Sequence, residues 1–240
     1  MKQTFYTRTG KRLFDVTVSA LGLAVSAPVL GMIGVVSAIT QGRPVLYSQQ
    51  RIGRNGEPFT LWKFRSMTNR PQTGSTVTTR GDARITPLGA TLRRYKLDEL
   101  PQLWCVLRGD MSLVGPRPDV AGYWDEVAAE DQDLLALRPG ITGPGSLLFR
   151  NEEEILAEAE DPEAFNDEVL FPEKIRLTRQ YAQTLSLMGD LRWGIYTVLP
   201  FRWVRPRLKA TGWRLAPHAE SPAALPERSA SPSRAPGDAV

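Results

Sequence analysis

Residues 16–40 carry no charged side chain, and the run VTVSALGLAVSAPVLGMIGVVSAIT is flanked by basic, polar sequence on both sides. As a helix it would measure about 37 Å at ~1.5 Å per residue, long enough to reach across a bilayer core. Pro28 lies near its middle, where the missing N–H and the ring's clash with the preceding turn predict a bend at Ser26-Ala27-Pro28. Beyond this run the apolar positions become periodic. Residues 45–64 read as a β-hairpin, because VLYSQQRIG and PFTLWKF flank Arg54-Asn55-Gly56-Glu57-Pro58 and Asn-Gly favours a tight turn. Residues 69–81 have loop composition. Thr86-Pro87 is a helix start, with Leu88, Leu92 and Tyr95 at helical spacing behind it. A second helix runs through LDELPQLWCVLRG and stops at Gly109. Residues 114–118 read as a stiff loop, 121–137 as an acidic amphipathic helix, 138–143 as a turn and 151–171 as acidic helix and loop. Residues 172–199 read as one or two amphipathic helices, marked by Ile175, Leu177, Tyr181 and Leu185, then Trp193, Tyr196 and Val198.

The predicted fold is α-rich α+β: a re-entrant membrane helix hairpin, and a small catalytic domain with amphipathic interfacial helices and a short β-hairpin. The expected divisions are an N-terminal segment at 1–10, the membrane helix at 11–42, a catalytic domain at 43–200, and a basic aromatic interfacial segment at 201–215. From residue 216 a tail rich in Ala, Pro and Ser is expected to be disordered. The re-entrant reading comes from charge. Lys2, Arg8, Lys11 and Arg12 precede the apolar run and Arg43, Arg51 and Arg54 follow it, whereas a simple span keeps such residues on one side. A straight span, a buried core helix and a cleavable leader are the alternatives. Gly22, Gly31 and Gly34 weaken the core-helix reading, and Phe14-Asp15 fits a leader poorly.

Composition narrows the chemistry. Of 240 residues, 42% are apolar and 23% charged, which excludes a wholly disordered chain. A single cysteine, Cys105, and a single histidine, His218, exclude a disulfide framework and Cys/His zinc sites, and disfavour Ser–His or Cys–His catalysis. Acid–base or nucleophilic work is left to carboxylates. Charge is segregated: 17 basic against 7 acidic residues in 1–123, 2 against 15 in 124–173, and 11 against 4 in 174–240. Arginine supplies 24 of the 30 basic residues, and its planar fork suits phosphates. Nucleotides, anionic lipid headgroups or nucleic acid are the partners this suggests. Walker A, GxGxxG and HExxH patterns are absent from the sequence.

Asp98-Glu99 is the strongest candidate for chemistry. Adjacent carboxylates at a helix start are ordinarily a cap and a dipole partner. Here Arg93, Arg94 and Lys96 lie just before them, and Arg117 follows the same helix. Among such cations a carboxylate is expected to stay ionised, ready to act as nucleophile or to hold a divalent ion. Arg117, clamped between Pro116 and Pro118, is either a phosphate contact or a structural ion pair, and Arg138 before Pro139-Gly140 has the same two readings. Lys63 and Arg65 alternate with aromatic residues, so both are expected on one face of a strand, open to anions.

The ordered motifs Lys11-Arg12-Leu13-Phe14-Asp15, Gln49-Gln50-Arg51-Ile52-Gly53, Lys63-Phe64-Arg65-Ser66-Met67, Leu97-Asp98-Glu99-Leu100-Pro101-Gln102-Leu103-Trp104, Val114-Gly115-Pro116-Arg117-Pro118 and Arg138-Pro139-Gly140-Ile141-Thr142-Gly143 span about residues 11–200. Together they resemble the monotopic phosphoglycosyl transferases, the bacterial sugar transferase family, in its minimal catalytic form. The resemblance implies transfer of a sugar-1-phosphate from a UDP-sugar to undecaprenyl phosphate with release of UMP, at the start of exopolysaccharide, capsule or O-antigen synthesis. It implies Asp98 as covalent nucleophile and a site of Mg²⁺, with Glu99 assisting. Arg93, Arg117, Arg138, Lys63 and Arg65 become candidate phosphate contacts, and Pro28 the membrane break. A catalytic domain on the cytoplasmic face of the bacterial inner membrane, with no nucleic-acid partner, follows from the same resemblance. Two departures stand out: Ala27-Pro28 replaces the usual Ser-Pro, and Pro144-Gly145-Ser146 replaces a Trp-Gln pattern. The competing reading is a non-catalytic, membrane-anchored adaptor for anionic lipid or nucleic acid.

Overall fold

The computed structural model describes residues 4–68, 82–127 and 129–221. The expected loop at 69–81 and the tail from 222 onward lie outside the described residues. The apolar run forms one helix, α1 (Lys11–Gln41), with Pro28 inside it, entered through a π-helical turn at Tyr6–Gly10. It is a single continuous helix rather than two arms joined by a break. Ser26 Oγ donates to the Gly22 carbonyl at 2.6 Å, so the hydroxyl one place before the expected position still bonds the preceding turn.

Charged residues in the first turns of α1 dock it on the rest of the chain. Arg12 donates to the carbonyls of Val106 and Leu107 at 2.6 and 2.8 Å. Asp15 is buried and accepts from Ser112 Oγ and the Leu113 N–H, both at 3.0 Å. At the other end, Gln41 Nε2 donates to the Arg65 carbonyl and Gln41 Oε1 accepts from Thr86 Oγ1. Both ends of α1 are therefore held by the same domain. Its outer side exposes Leu21, Val25, Met32, Val35 and Ile39.

Strands β1 (Leu46–Ile52) and β2 (Pro58–Phe64) pair antiparallel in the expected hairpin, from Leu46 opposite Phe64 to Ile52 opposite Pro58. Asn55 and Gly56 turn the chain with positive φ. Helix α2 (Pro87–Arg94) starts as predicted: Thr86 Oγ1 accepts from the Gly89 N–H at 2.9 Å. Helix α3 (Gln102–Arg108) ends at Gly109, whose φ of 102° lets the chain leave the helix. Phe59 and Leu61 of β2 pack on Cys105 and Val106 of α3, while Phe64 packs with Leu92 of α2 and Ile33 of α1. The buried side chains of β2 thus point to both faces, while most of β1 stays exposed.

The predicted stiff loop and turn contain a second sheet. Strands β3 (Ser112–Val114) and β4 (Gly140–Thr142) pair in parallel, Val114 opposite Thr142. A Cβ on Gly140 would lie 2.1 Å from the Gly115 nitrogen, so the backbones touch where only glycine fits. Gly140→Ala is expected to cost about 1–3 kcal/mol by forcing these segments apart, checked by thermal melting.

The remaining chain is helical: α4 (Pro144–Leu148), α5 (Glu152–Ala157), α6 (Pro162–Phe165), α7 (Phe171–Thr184), α8 (Leu187–Val198), α9 (Phe201–Ala210) and α10 (Pro217–Glu220). The acidic stretch expected as one amphipathic helix is instead two 3₁₀ turns, Trp124–Glu126 and Ala129–Ala136. The main core gathers Trp124, Leu134, Leu148, Phe165, Leu170, Leu177, Tyr181, Trp193 and Leu208. Each such side chain contributes about 1.5–3 kcal/mol by burial. Two expectations at the C-terminal end change. Trp213 is not interfacial but buried, edge-on to Trp193 at 4.9 Å, although Trp203 is exposed. Residues 217–220 form a helical turn with Ala219 fully buried, so order continues past residue 215.

Candidate active site

The dyad sits on a 3₁₀ turn, Leu97–Glu99, between α2 and α3. Lys96 enters this turn with φ 57°, a left-handed conformation that costs a non-glycine residue about 1–3 kcal/mol. That reversal turns both carboxylates inward: Asp98 is 5% exposed and Glu99 8%.

Their environments differ. Glu99 Oε1 accepts from Lys63 Nζ at 3.1 Å and from Arg117 Nη2 at 3.2 Å. Burial opposes its ionisation, but Arg117, Lys63 and Lys96 outweigh that cost and hold its carboxyl well below the usual glutamate range. Asp98 Oδ1 is buried and has no hydrogen-bond partner. Burial, and then the neighbouring Glu99 charge, push the Asp98 carboxyl above the usual aspartate range against Lys63, Arg93 and Lys96. Of the cations expected to secure the aspartate, Arg117 pairs with its neighbour instead, joined there by Lys63. Burial pulls the Lys63 ammonium down, with Glu99 opposing, and the Glu99 charge raises the Arg117 guanidinium further.

Arg117 is held by its loop. The Trp124 indole N–H donates to the Arg117 carbonyl at 3.2 Å, and the Ile52 N–H donates to the Asp119 carbonyl at 3.0 Å. The remaining candidates separate. Arg93 pairs with Glu153 of α5. Arg65 is 8% exposed and donates to the carbonyls of Gln41, Gly42 and Arg43, tying down the end of α1. Arg138 Nε donates to the Gly109 carbonyl at 2.8 Å, where it fastens α3 to β4 rather than facing the dyad. Lys63 shares the strand face of Phe59 and Leu61 and so turns toward the dyad, whereas Arg65 lies past the strand end, where strand alternation no longer directs it.

Glu152, Glu153 and Lys174 are the residues that the sequence reading left aside. Lys174 Nζ donates to Glu152 Oε1 at 2.8 Å, and both line a recess with Arg117, Trp124 and Gly145. The acidic block thus pairs with basic residues elsewhere in the chain, Arg93 and Lys174 among them, with Asp131–Arg179 as a further pair. Its only sequence signal was the charge segregation itself.

A hard divalent cation commonly takes one or two carboxylates together with substrate phosphates. The unpartnered oxygen of Asp98 fits that role, whereas Glu99 already holds two cations through Oε1. Among the described residues there is no group of three or more acidic, His or Cys side chains to cage a metal.

Residues 6–202 match the family model for bacterial sugar transferases. The chain belongs to the bacterial sugar transferase family. It is 38% identical over 194 residues to a UDP-glucose:undecaprenyl-phosphate glucose-1-phosphate transferase of Caulobacter vibrioides, covering 78% of this chain and 68% of that protein. It is 40% identical over 137 residues to a protein of the same description from Klebsiella pneumoniae, covering 55% of this chain and 30% of that one. A galactosyl transferase, CpsE, of Streptococcus agalactiae is 32% identical over 194 residues, covering 76% of this chain and 40% of that relative. The chain therefore spans less than half the length of the latter two. The family match takes in the dyad, Lys63, Arg117, and α1 with its docking residues.

Proposed function

We propose that this sugar transferase moves a sugar-1-phosphate from a UDP-sugar to undecaprenyl phosphate, releasing UMP and initiating a surface glycan. One observation carries the reading: a nearly buried Asp98 with an unengaged oxygen lies beside a Glu99 locked by Lys63 and Arg117. That arrangement supplies one carboxylate free to react and one that fixes cations for phosphate charge. An Asp98 oxygen attacks the β-phosphorus; the bond to the UMP oxygen breaks and UMP leaves. A phosphosugar–aspartyl ester results. An oxygen of the lipid phosphate then attacks the same phosphorus, and Asp98 departs as carboxylate. Neither step requires a proton. Arg117 and Lys63 offset the charge that accumulates on the phosphoryl oxygens. Mg²⁺, when bound, would be held by Asp98 together with donor phosphates and would supply further charge neutralisation.

In this reading α1 does not cross the bilayer: it dips into one leaflet as one helix, bent at Pro28, and both its ends lie on the cytoplasmic face of the inner membrane. The docking of both ends on one domain supports this, since a helix crossing the whole bilayer would carry one end away from it. Single cysteines at Thr4 and Glu57, both exposed, are expected to label from the same side in intact cells; labelling from opposite sides would show a span.

The test of the reaction is product identity. Protein in nanodiscs with Mg²⁺, undecaprenyl phosphate and either UDP-glucose or UDP-N-acetylgalactosamine is expected to release UMP. Release of UDP would mean direct glycosyl transfer, and binding of lipid or nucleic acid without turnover would favour an adaptor. The pH profile tests the dyad. Because Asp98 must be ionised to attack and its carboxyl titrates above the usual aspartate range, kcat/KM should fall on acidification at a pH above about 4. Lys63→Met removes a cation that favours ionised Asp98, so it should move this limb to still higher pH as well as slowing the reaction.

A further inference from the structure

We propose that Glu152 and Lys174 form a positioning pair that keeps the Arg117 guanidinium directed at Glu99 and at the donor phosphates; this rests on the transfer reading above. Lys174 Nζ meets Glu152 Oε1 at 2.8 Å, with 9% and 23% of their side chains exposed. They form one wall of the recess whose other walls include Arg117, Pro144 and Gly145. The guanidinium of Arg117 therefore has Glu99 at 3.2 Å and Glu152 across the recess, with the Asp119 carboxylate also acting on it. While Lys174 satisfies Glu152, Glu152 is a weak rival for Arg117. Without the Lys174 ammonium, an uncompensated carboxylate remains in a poorly solvated recess, and its attraction for the nearest cation grows. Arg117 then turns from Glu99, and the phosphate site loses a charge. Removing Glu152 alone leaves two cations side by side, which displaces Arg117 by repulsion. Removing both charges leaves Arg117 with Glu99 and Asp119, neither of which the double change touches.

The pattern is specific to positioning: two damaging single changes and a benign double one, visible only while Arg117 is present. The experiment uses the full chain in nanodiscs, with UDP as binding probe and UMP release from UDP-glucose or UDP-N-acetylgalactosamine as the rate. Lys174→Met and Glu152→Gln are each expected to weaken UDP binding and lower kcat by about tenfold, and the double variant to return within about threefold of wild type. In an Arg117→Met background neither single change should alter UDP affinity further. A double variant as weak as the worse single, or a Lys174→Met effect of equal size with and without Arg117, overturns the proposal. Should a single variant fail to fold, the exchange Glu152→Lys with Lys174→Glu keeps the pair neutral and should retain UDP affinity within the same threefold; its loss counts against the proposal. Absence of UMP release from wild type with either donor would defeat the transfer reading, while the UDP titrations would still decide the role of the pair.

Discussion

Asp98→Asn is expected to lower UMP release by a factor on the order of 10⁴ or more, the scale seen when a covalent nucleophile is removed, without loss of stability. The amide keeps the shape of the side chain but cannot attack phosphorus. Its effect on folding has the opposite sign. A carboxylate that titrates higher in the fold than in the unfolded chain destabilises the fold once ionised, and that cost is absent only below the unfolded value, about 4. At neutral pH the asparagine variant should therefore melt at the same temperature as wild type or higher. Glu99→Gln makes the contrast. Glu99 titrates below its unfolded value, so its contribution is present above about pH 4.3 and is lost as pH falls through the folded value. Its replacement should reduce activity and stability together, because Lys63 and Arg117 lose their partner. Intact-protein mass measured after incubation with donor but no lipid should show one added phosphosugar on wild type and none on Asp98→Asn. Retained turnover in that variant would place the nucleophile elsewhere.

Asp190→Ala should cost about 3–5 kcal/mol, the range for breaking a buried ion pair by removing one partner. Asp190 is fully buried on α8 and accepts from Lys11 Nζ at 2.7 Å, Tyr6 Oη at 2.5 Å and Tyr181 Oη at 2.7 Å. Without it, the Lys11 ammonium and two phenols lose their acceptor. At ~2–4 °C per kcal/mol for a domain of this size, the melting temperature should fall by roughly 6–20 °C. The damage should reach the candidate site. Lys11 Nζ also donates to the Val114 carbonyl at 2.8 Å, with Tyr181 Oη 3.2 Å from the same oxygen, and Val114 leads into Gly115-Pro116-Arg117. Replacing both charges, Lys11→Met with Asp190→Leu, should recover most of the loss, since apolar side chains of similar volume commonly substitute for a buried pair. A melting temperature unchanged in Asp190→Ala would show that this latch holds nothing.

Local chemistry made several elements legible in the sequence. Thr86-Pro87 caps its helix because a hydroxyl and a pre-set φ act within four residues. Asn55-Gly56 turns the hairpin because the turn demands positive φ, and Gly109 ends α3 for the same reason. The charge-free run at 16–40 forms a helix because a long apolar segment satisfies its backbone groups within itself, and its hydroxyls bond back to the preceding turn. The dyad too could be read from Asp98-Glu99 within its ordered motifs. Only the tertiary structure decided which cations reach it. Lys63 and Arg117 arrive from a strand and a loop, while Arg65 and Arg138, equally plausible in the sequence, spend their donors on backbone carbonyls. The parallel pairing of Ser112–Val114 with Gly140–Thr142 joins segments too far apart for any local pattern to announce. The contrast between two adjacent carboxylates likewise exists only in the fold. Charge interactions in a poorly solvated interior depend on distance and burial, and both are set by residues far away in the chain.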